Sequence, residues 1–159
     1  MGVSGSGKST IGPALARALD IRYVEGDAHH PAENVKLMAA GTPLTDANRA
    51  GWLRTLALRL RAAKEDRTGL VVSCSALKRS YRDILRAEAT DLRLVFLRGE
   101  KALLAERLAT RKGHFMPASL LESQLSTLEE PGPDENAWVC DITESPDEIV
   151  ASLVARASA

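Results

Sequence analysis

No run of apolar residues in this sequence is long enough to span a membrane, and none has the pattern of a signal peptide. An excess of charge is also missing, since Lys+Arg and Asp+Glu both number 21. A surface built for nucleic acid or another generic polyanion is therefore not expected, and any cationic site must be local. Cysteine is scarce. Cys74 and Cys140 each close an apolar run, Val71-Val72-Ser73-Cys74 and Trp138-Val139-Cys140. Such residues read as buried free thiols rather than a disulfide, which points to the cytoplasm. Repeats, low-complexity stretches and linkers are absent too, so one domain is expected over residues 1–159.

What is present is an ordinary globular composition, 45% apolar and 26% charged. Short apolar runs alternate with helical patterns. Strands are predicted at Ile21–Glu25, Leu70–Cys74, Leu92–Leu97 and Ala137–Ile142. Helices are predicted near Lys8–Leu19, Ala32–Ala40, Asp46–Ala63, Lys78–Ala87, Glu100–Thr110, Ala118–Leu128 and Asp147–Ala157. This alternation implies an α/β domain with a parallel sheet covered by helices on both faces. The Asp46–Ala63 helix has Thr45 as its N-cap, Asp46 in its first turn, and Trp52, Leu53, Leu56 and Leu60 on one face. Pro13 falls inside the first helix, which predicts a tight start or a kink there.

Four segments carry chemistry. Gly2-Val3-Ser4-Gly5-Ser6-Gly7-Lys8-Ser9 matches G-x-x-x-x-G-K-[ST] at every fixed position. Its glycines let backbone N–H groups converge on phosphate oxygens, and the following helix points its positive end at them. Lys8 would reach the β- and γ-phosphates of ATP, Ser9 would bind Mg²⁺, and Thr10 would add a phosphate contact. Glu25-Gly26-Asp27-Ala28-His29-His30-Pro31 leaves a strand at the carboxyl edge of the sheet, where open α/β sheets bind ligands. Asp27 can orient or deprotonate an attacking hydroxyl, and His30 can hydrogen-bond a polyol.

The third segment, Ser73 to Asp83, leaves another strand. Ser75, Lys78 and Arg82 fit a polar, cationic wall for an anionic substrate, with Lys78 and Arg82 four apart on one helical face. An ordinary solvated face fits that segment equally well. The fourth, Arg107 to Phe115, places Arg107 and Arg111 four apart. They read either as a lid at 107–117 that brings arginines onto transferring phosphates, or as a solvated basic helix end.

Taken together these residues resemble the gluconokinase family of small P-loop kinases. The resemblance covers nearly the whole chain. Gly26-Asp27-x-x-His30-Pro31, Cys74-Ser75-Ala76-Leu77-Lys78 and Lys112-Gly113-His114-Phe115 are its most specific pieces. Further pieces are Arg49-x-x-Trp52-Leu53 and Gln124-x-x-x-Leu128-Glu129-x-Pro131. The resemblance implies transfer of the ATP γ-phosphoryl to the 6-hydroxyl of D-gluconate. It also implies a three-layer P-loop kinase sandwich with sheet order 2-3-1-4-5, and a substrate-binding helical region at about 32–63. Gluconate would lie near Asp27, His30, Arg49, Ser75, Lys78, Arg82 and His114. Arg49 or Arg82 would pair with its carboxylate.

By the same resemblance, Lys8, Arg107 and Arg111 would stabilise charge on the phosphates. Ser9 and Asp27 would serve Mg²⁺, and 141–146 would flank the adenine. A homodimer is common in the family. In that fold a buried strand feeds the P-loop, yet only Met1 stands before Gly2. The expectation is that Met1 is an internal methionine and that the strand lies upstream of it. Two other readings stay open on the residues alone: the same chemistry on shikimate or another sugar acid, and nucleotide binding without transfer.

Overall fold

The computed structural model describes residues 1–110 and 118–158. Among them, seven α-helices and four strands alternate. Helix α1 (Lys8–Ala18) leads to β1 (Arg22–Glu25), a 3-10 turn (Gly26–His29), α2 (Ala32–Ala39) and α3 (Asp46–Glu65). Then come β2 (Leu70–Ser73), α4 (Arg79–Glu88), β3 (Val95–Arg98), α5 (Lys101–Thr110) and α6 (Ala118–Thr127). A second 3-10 turn (Pro133–Glu135), β4 (Trp138–Asp141) and α7 (Pro146–Ala157) finish the chain. The boundaries fall close to those read from the sequence, because apolar period and turn residues agree at most of these positions. Helix α1 continues on both sides of Pro13.

All pairing is parallel. β1 pairs with β2, with Glu25 opposite Ser73, and β3 pairs with β4, with Arg98 opposite Asp141. Met1 and Gly2 lie between the two pairs. The Leu97 amide donates to Met1 O (3.0 Å), the Met1 ammonium donates to Val95 O, and the Gly2 amide donates to Ser75 O (3.3 Å). Numbering the position of Met1 and Gly2 as 1, the order is the expected 2-3-1-4-5. This is the α/β P-loop kinase fold.

Two apolar clusters cover the sheet. One joins Trp52, Leu53, Leu56 and Leu60 of α3 to Tyr81 and Leu85 of α4 and to Phe96. The other joins Ile11 and Leu15 of α1 to Leu104, Leu121, Ile149 and Leu153. The α3 stripe faces the core as its period predicts, and Thr45 caps the helix: its Oγ1 accepts from Asn48 N (3.2 Å) while Asn48 Oδ1 accepts from Thr45 N (3.0 Å). Cys74 and Cys140 are free and buried, and burial pushes the Cys74 thiol up to about 11. Among the described residues no helix is long and apolar enough to cross a membrane. The parallel strands end together, so the loops after β1 and β2 and the P-loop share one edge of the sheet.

Candidate active site

The P-loop turns through left-handed backbone at Gly5 (φ 83°) and Gly7 (φ 94°), conformations that other residues adopt only with strain. Gly7 stands at the N-cap of α1, and no side chain caps that helix. The positive end of α1 therefore points at this loop, a setting that suits an anion. Lys8 Nζ donates to Val3 O (2.9 Å), which folds its ammonium back over the loop. Ser4 at the tip is held from α6: its amide donates to Gln124 Oε1 (2.7 Å), and Gln124 Nε2 donates to Ser4 Oγ (3.1 Å).

Beneath Lys8 and Ser9 lies Glu25, the last residue of β1. It accepts from Tyr23 Oη (2.8 Å) and from Ser73 Oγ (2.5 Å), the residue opposite it on β2. Burial pushes its carboxyl up, but Ser73, Ser9 and Tyr23, with the charge of Lys8, outweigh that and hold it below the ordinary value. The strand then turns sharply at Gly26. A Cβ there would stand 2.2 Å from Ser73 O, so only glycine lets the turn lie this close to β2. Trp52 Nε1 donates to Gly26 O (2.7 Å) and fixes the same turn from α3. Asp27 follows, exposed at the sheet edge.

His30 stacks on Trp52, ring centroids 4.1 Å apart. Asn34 Nδ2 donates to Asn48 O (2.8 Å), which orients its amide, and lies 3.4 Å from His30 Nδ1. Nδ1 is therefore the acceptor, and the neutral ring carries its proton on Nε2. Burial lowers the His30 pKa, Asp27 opposes it with a smaller rise, and Arg49 adds the smallest effect, a further lowering. His30 thus stays neutral over a wider pH range than a free histidine.

Opposite stands a second polar group. Lys78 Nζ donates to both Asp46 carboxylate oxygens (2.8 and 2.9 Å), and Tyr81 Oη donates to Asp46 Oδ1. Arg49 and Lys78 stand 5.7 and 5.6 Å from the Tyr81 ring centre. Two cations thus stand against one aromatic ring, and one of them, Lys78, already holds the Asp46 carboxylate.

This site has known relatives. The family model described as shikimate kinase matches residues 4–157. A gluconokinase from Gluconobacter oxydans is 47% identical over 154 residues, covering 97% of this chain and 86% of its own length. The chain belongs to the gluconokinase family. The solved gluconokinase from Sinorhizobium meliloti 1021 is 51% identical with a TM-score of 0.87, over 95% of this chain and 85% of that one. An unliganded sugar kinase from Janibacter sp. HTCC2649 is 42% identical with a TM-score of 0.92, over 98% and 90%.

The gluconokinase pieces read in the sequence do not all stand where helical spacing put them. Lys8 and Ser9 belong to the P-loop, Asp27, His30, Ser75 and Lys78 to the loops after β1 and β2, and Arg49 to the start of α3, at one end of the sheet. Arg82 does not reach that edge. Helix α4 starts only at Arg79, and Lys78 is its extended N-cap (φ −93°, ψ 150°), so Lys78 and Arg82 share no helical face. Arg82 is instead 1% exposed and pairs with Glu135. The carboxylate it was expected to meet belongs to the protein. Arg107 Nη2 donates to Ile142 O (2.7 Å), just after β4, within the stretch assigned to the adenine. Arg111 and His114 lie outside the described residues.

Three residues of the candidate site were not picked out as such in the sequence. Glu25 left a readable signal, two carboxylates spaced i,i+2 at a strand end. Asp46 was read as the first-turn residue of a helix and not as the partner of Lys78 and Tyr81. Gln124 was legible only as part of a family pattern, because its partner Ser4 is 120 residues away.

Proposed function

We propose that this chain transfers the γ-phosphoryl group of ATP to the 6-hydroxyl of D-gluconate. The observation that carries the reading is the meeting, at one sheet edge, of a P-loop lysine with an exposed carboxylate, Asp27, beside a polar wall. A nucleotide module and an acceptor module face each other there, in a chain 47% identical to a gluconokinase. The P-loop amides and Lys8 hold the phosphates, and Arg107 with 141–146 borders the base. Asp27 orients the 6-hydroxyl and takes its proton as the O–P bond forms. His30 Nε2 donates to a sugar hydroxyl. Arg49 and Lys78 receive the substrate carboxylate, with Tyr81 between them.

Ser9, with Glu25 beneath it and Asp27 two residues on, suits Mg²⁺: hard oxygen donors, few in number, beside a phosphate site. When bound, the ion would neutralise charge on the phosphates. No group of three or more His, Cys, Asp or Glu that could hold a metal by itself occurs among the described residues. The two free buried thiols support a reducing compartment, the cytoplasm.

The test is ADP formation with gluconate, a panel of sugar acids and shikimate, and the product's phosphate position by NMR. Activity on shikimate and none on gluconate rejects the reading, and so does ATP binding with no acceptor at all.

Two expected results arise here. Lys8→Ala weakens ATP binding about 10–100-fold, the worth of a charged hydrogen bond of roughly 1.5–3 kcal/mol. Titration calorimetry should show gluconate binding almost unchanged. Gln124→Leu removes both bonds to Ser4 and raises the KM for ATP about tenfold, from two neutral hydrogen bonds of about 0.5–1 kcal/mol each. The KM for gluconate should hold. Equal rises in both constants would take Gln124 out of nucleotide positioning.

A further inference from the structure

Arg82 is buried, charged and absent from the substrate pocket, yet it touches the backbone that forms one wall of it. Nη1 donates to Ala76 O (3.2 Å) and to Leu77 O (3.1 Å). Its Nε and Nη2 donate to the two oxygens of Glu135 (2.6 and 2.7 Å). Glu135 is in turn held by Arg86 Nη1 (2.8 Å) and the Gly132 amide (3.1 Å), while Arg86 Nη2 donates to Glu135 O (2.7 Å). The guanidinium is thus locked from behind by a carboxylate that is itself locked, and both side chains are 1% exposed.

What Arg82 grips is unusual backbone. Ala76 is wholly buried with φ 43°, a left-handed conformation that an L-residue with a Cβ avoids. Something must hold it, and the neighbouring carbonyls show what. Ser75 O accepts from Gly2 of the P-loop (3.3 Å), Ala76 O from Arg82, and Leu77 O from Arg82 and from the Glu129 amide (2.9 Å). Three successive carbonyls are therefore committed to three different elements. Ser75 lies just before the left-handed residue. Lys78, which meets Asp46 and flanks Tyr81, stands two residues beyond it.

A buried ion pair is poor evidence of net stability, since desolvation offsets its attraction. Its geometry is more informative. A planar fork can serve two carbonyls and a carboxylate at once, whereas a lysine nitrogen is a single point.

We propose that Arg82 is a positioning residue for the acceptor: clamped by Glu135 and Arg86, it holds 75–78 in the left-handed turn that presents Ser75 and Lys78 to the substrate. This rests on the acceptor reading given under Proposed function. If Arg82 leaves, Ala76 relaxes toward negative φ and the wall moves. Glycine at 76 meets no such penalty, because it takes positive φ as readily as negative. Replacing Ala76 should therefore offset part of the loss of Arg82, which a general loss of stability would not allow.

The test is steady-state kinetics on Arg82→Lys, Ala76→Gly and the double variant. Arg82→Lys is expected to raise the KM for gluconate about tenfold or more, with the KM for ATP within about twofold. Ala76→Gly alone should stay near wild type, and the double variant should recover at least about threefold of the lost KM. Equal rises in both KM values, or strictly additive effects in the double variant, overturn the proposal. If Arg82→Lys does not fold, Arg86→Gln loosens the same clamp from its half-exposed end. It should raise the gluconate KM about two- to threefold with the ATP KM unchanged, and no change overturns the proposal.

Amide hydrogen exchange of residues 75–78 separates this idea from the assigned acceptor. Faster exchange there in Arg82→Lys, with the P-loop helix α1 unaffected, supports the clamp even if wild type phosphorylates some other acceptor. Unchanged exchange overturns the clamp even if gluconate is the substrate.

Discussion

Asp27→Asn should lower kcat by about 10²–10⁴-fold, the range for a positioned acid–base group, while ATP affinity changes by no more than about twofold. Asp27 sits one residue beyond Gly26, whose close approach to Ser73 O leaves the turn no freedom. Trp52 pins the same turn through Gly26 O, so the amide variant should stand where the carboxylate stood. Asparagine can still accept a hydrogen bond from the 6-hydroxyl but cannot take its proton. The loss should therefore fall on kcat rather than on the KM for gluconate. Asp27 lies outside the P-loop, so calorimetric titration with ATP should give nearly the wild-type curve. Steady-state rates at saturating gluconate decide the matter, and an unchanged kcat removes Asp27 from the proton-transfer step.

Glu135→Gln should cost about 3–5 kcal/mol of stability near neutral pH, the usual consequence of leaving a buried charge without its partner. Two arginines face that carboxylate, and Arg82 has no route to water. For a domain of this size the midpoint of thermal unfolding should fall by roughly 6–20 °C. The effect should also depend on pH. Arg82 hydrogen bonds, aided by Gly132 and Arg86 against the cost of burial, hold the Glu135 pKa down at about 2, from an ordinary 4.5. A carboxyl whose folded pKa is depressed stabilises the fold fully above the unfolded value. That contribution is lost as pH falls from about 4.5 toward about 2, and it amounts to roughly 3 kcal/mol. Urea titrations of wild type and variant at pH 7 and pH 3 should show the gap narrowing in acid. A gap of equal size at both pH values would mean that the carboxylate charge is not what Glu135 contributes.

Much of the candidate site is legible in the sequence, and the reason differs by residue. The P-loop is legible because its function lies in local backbone geometry. Gly5 and Gly7 are spelled in the sequence, and their positive φ follows from their identity. Asp27 is legible because a strand ends just before it and the carboxyl edge of a parallel sheet is where ligands bind. Arg82 was misplaced for a local reason with a tertiary cause. The helical period was extended back through Lys78, but α4 begins one residue later. Residues 74–78 are held out of helical form by Gly2, Glu129 and Arg82 itself. None of those contacts leaves a trace in spacing. Glu25 was overlooked because a charged residue closing a strand looks solvated until Ser73, Tyr23 and Ser9 converge on it.

By itself the sequence determined the order of the elements, the phosphate-binding turn and the family, since each rests on identities and periods within a few neighbouring residues. The tertiary structure decided which cation stays at the sheet edge and which is spent inside. Arg82 and Lys78 differ little as sequence symbols, but one meets Glu135 53 residues away and the other meets Asp46 32 residues away. Which carboxylate a cation finds depends on chain packing at long range, where desolvation forces a buried arginine onto a partner and leaves an edge lysine within reach of solvent.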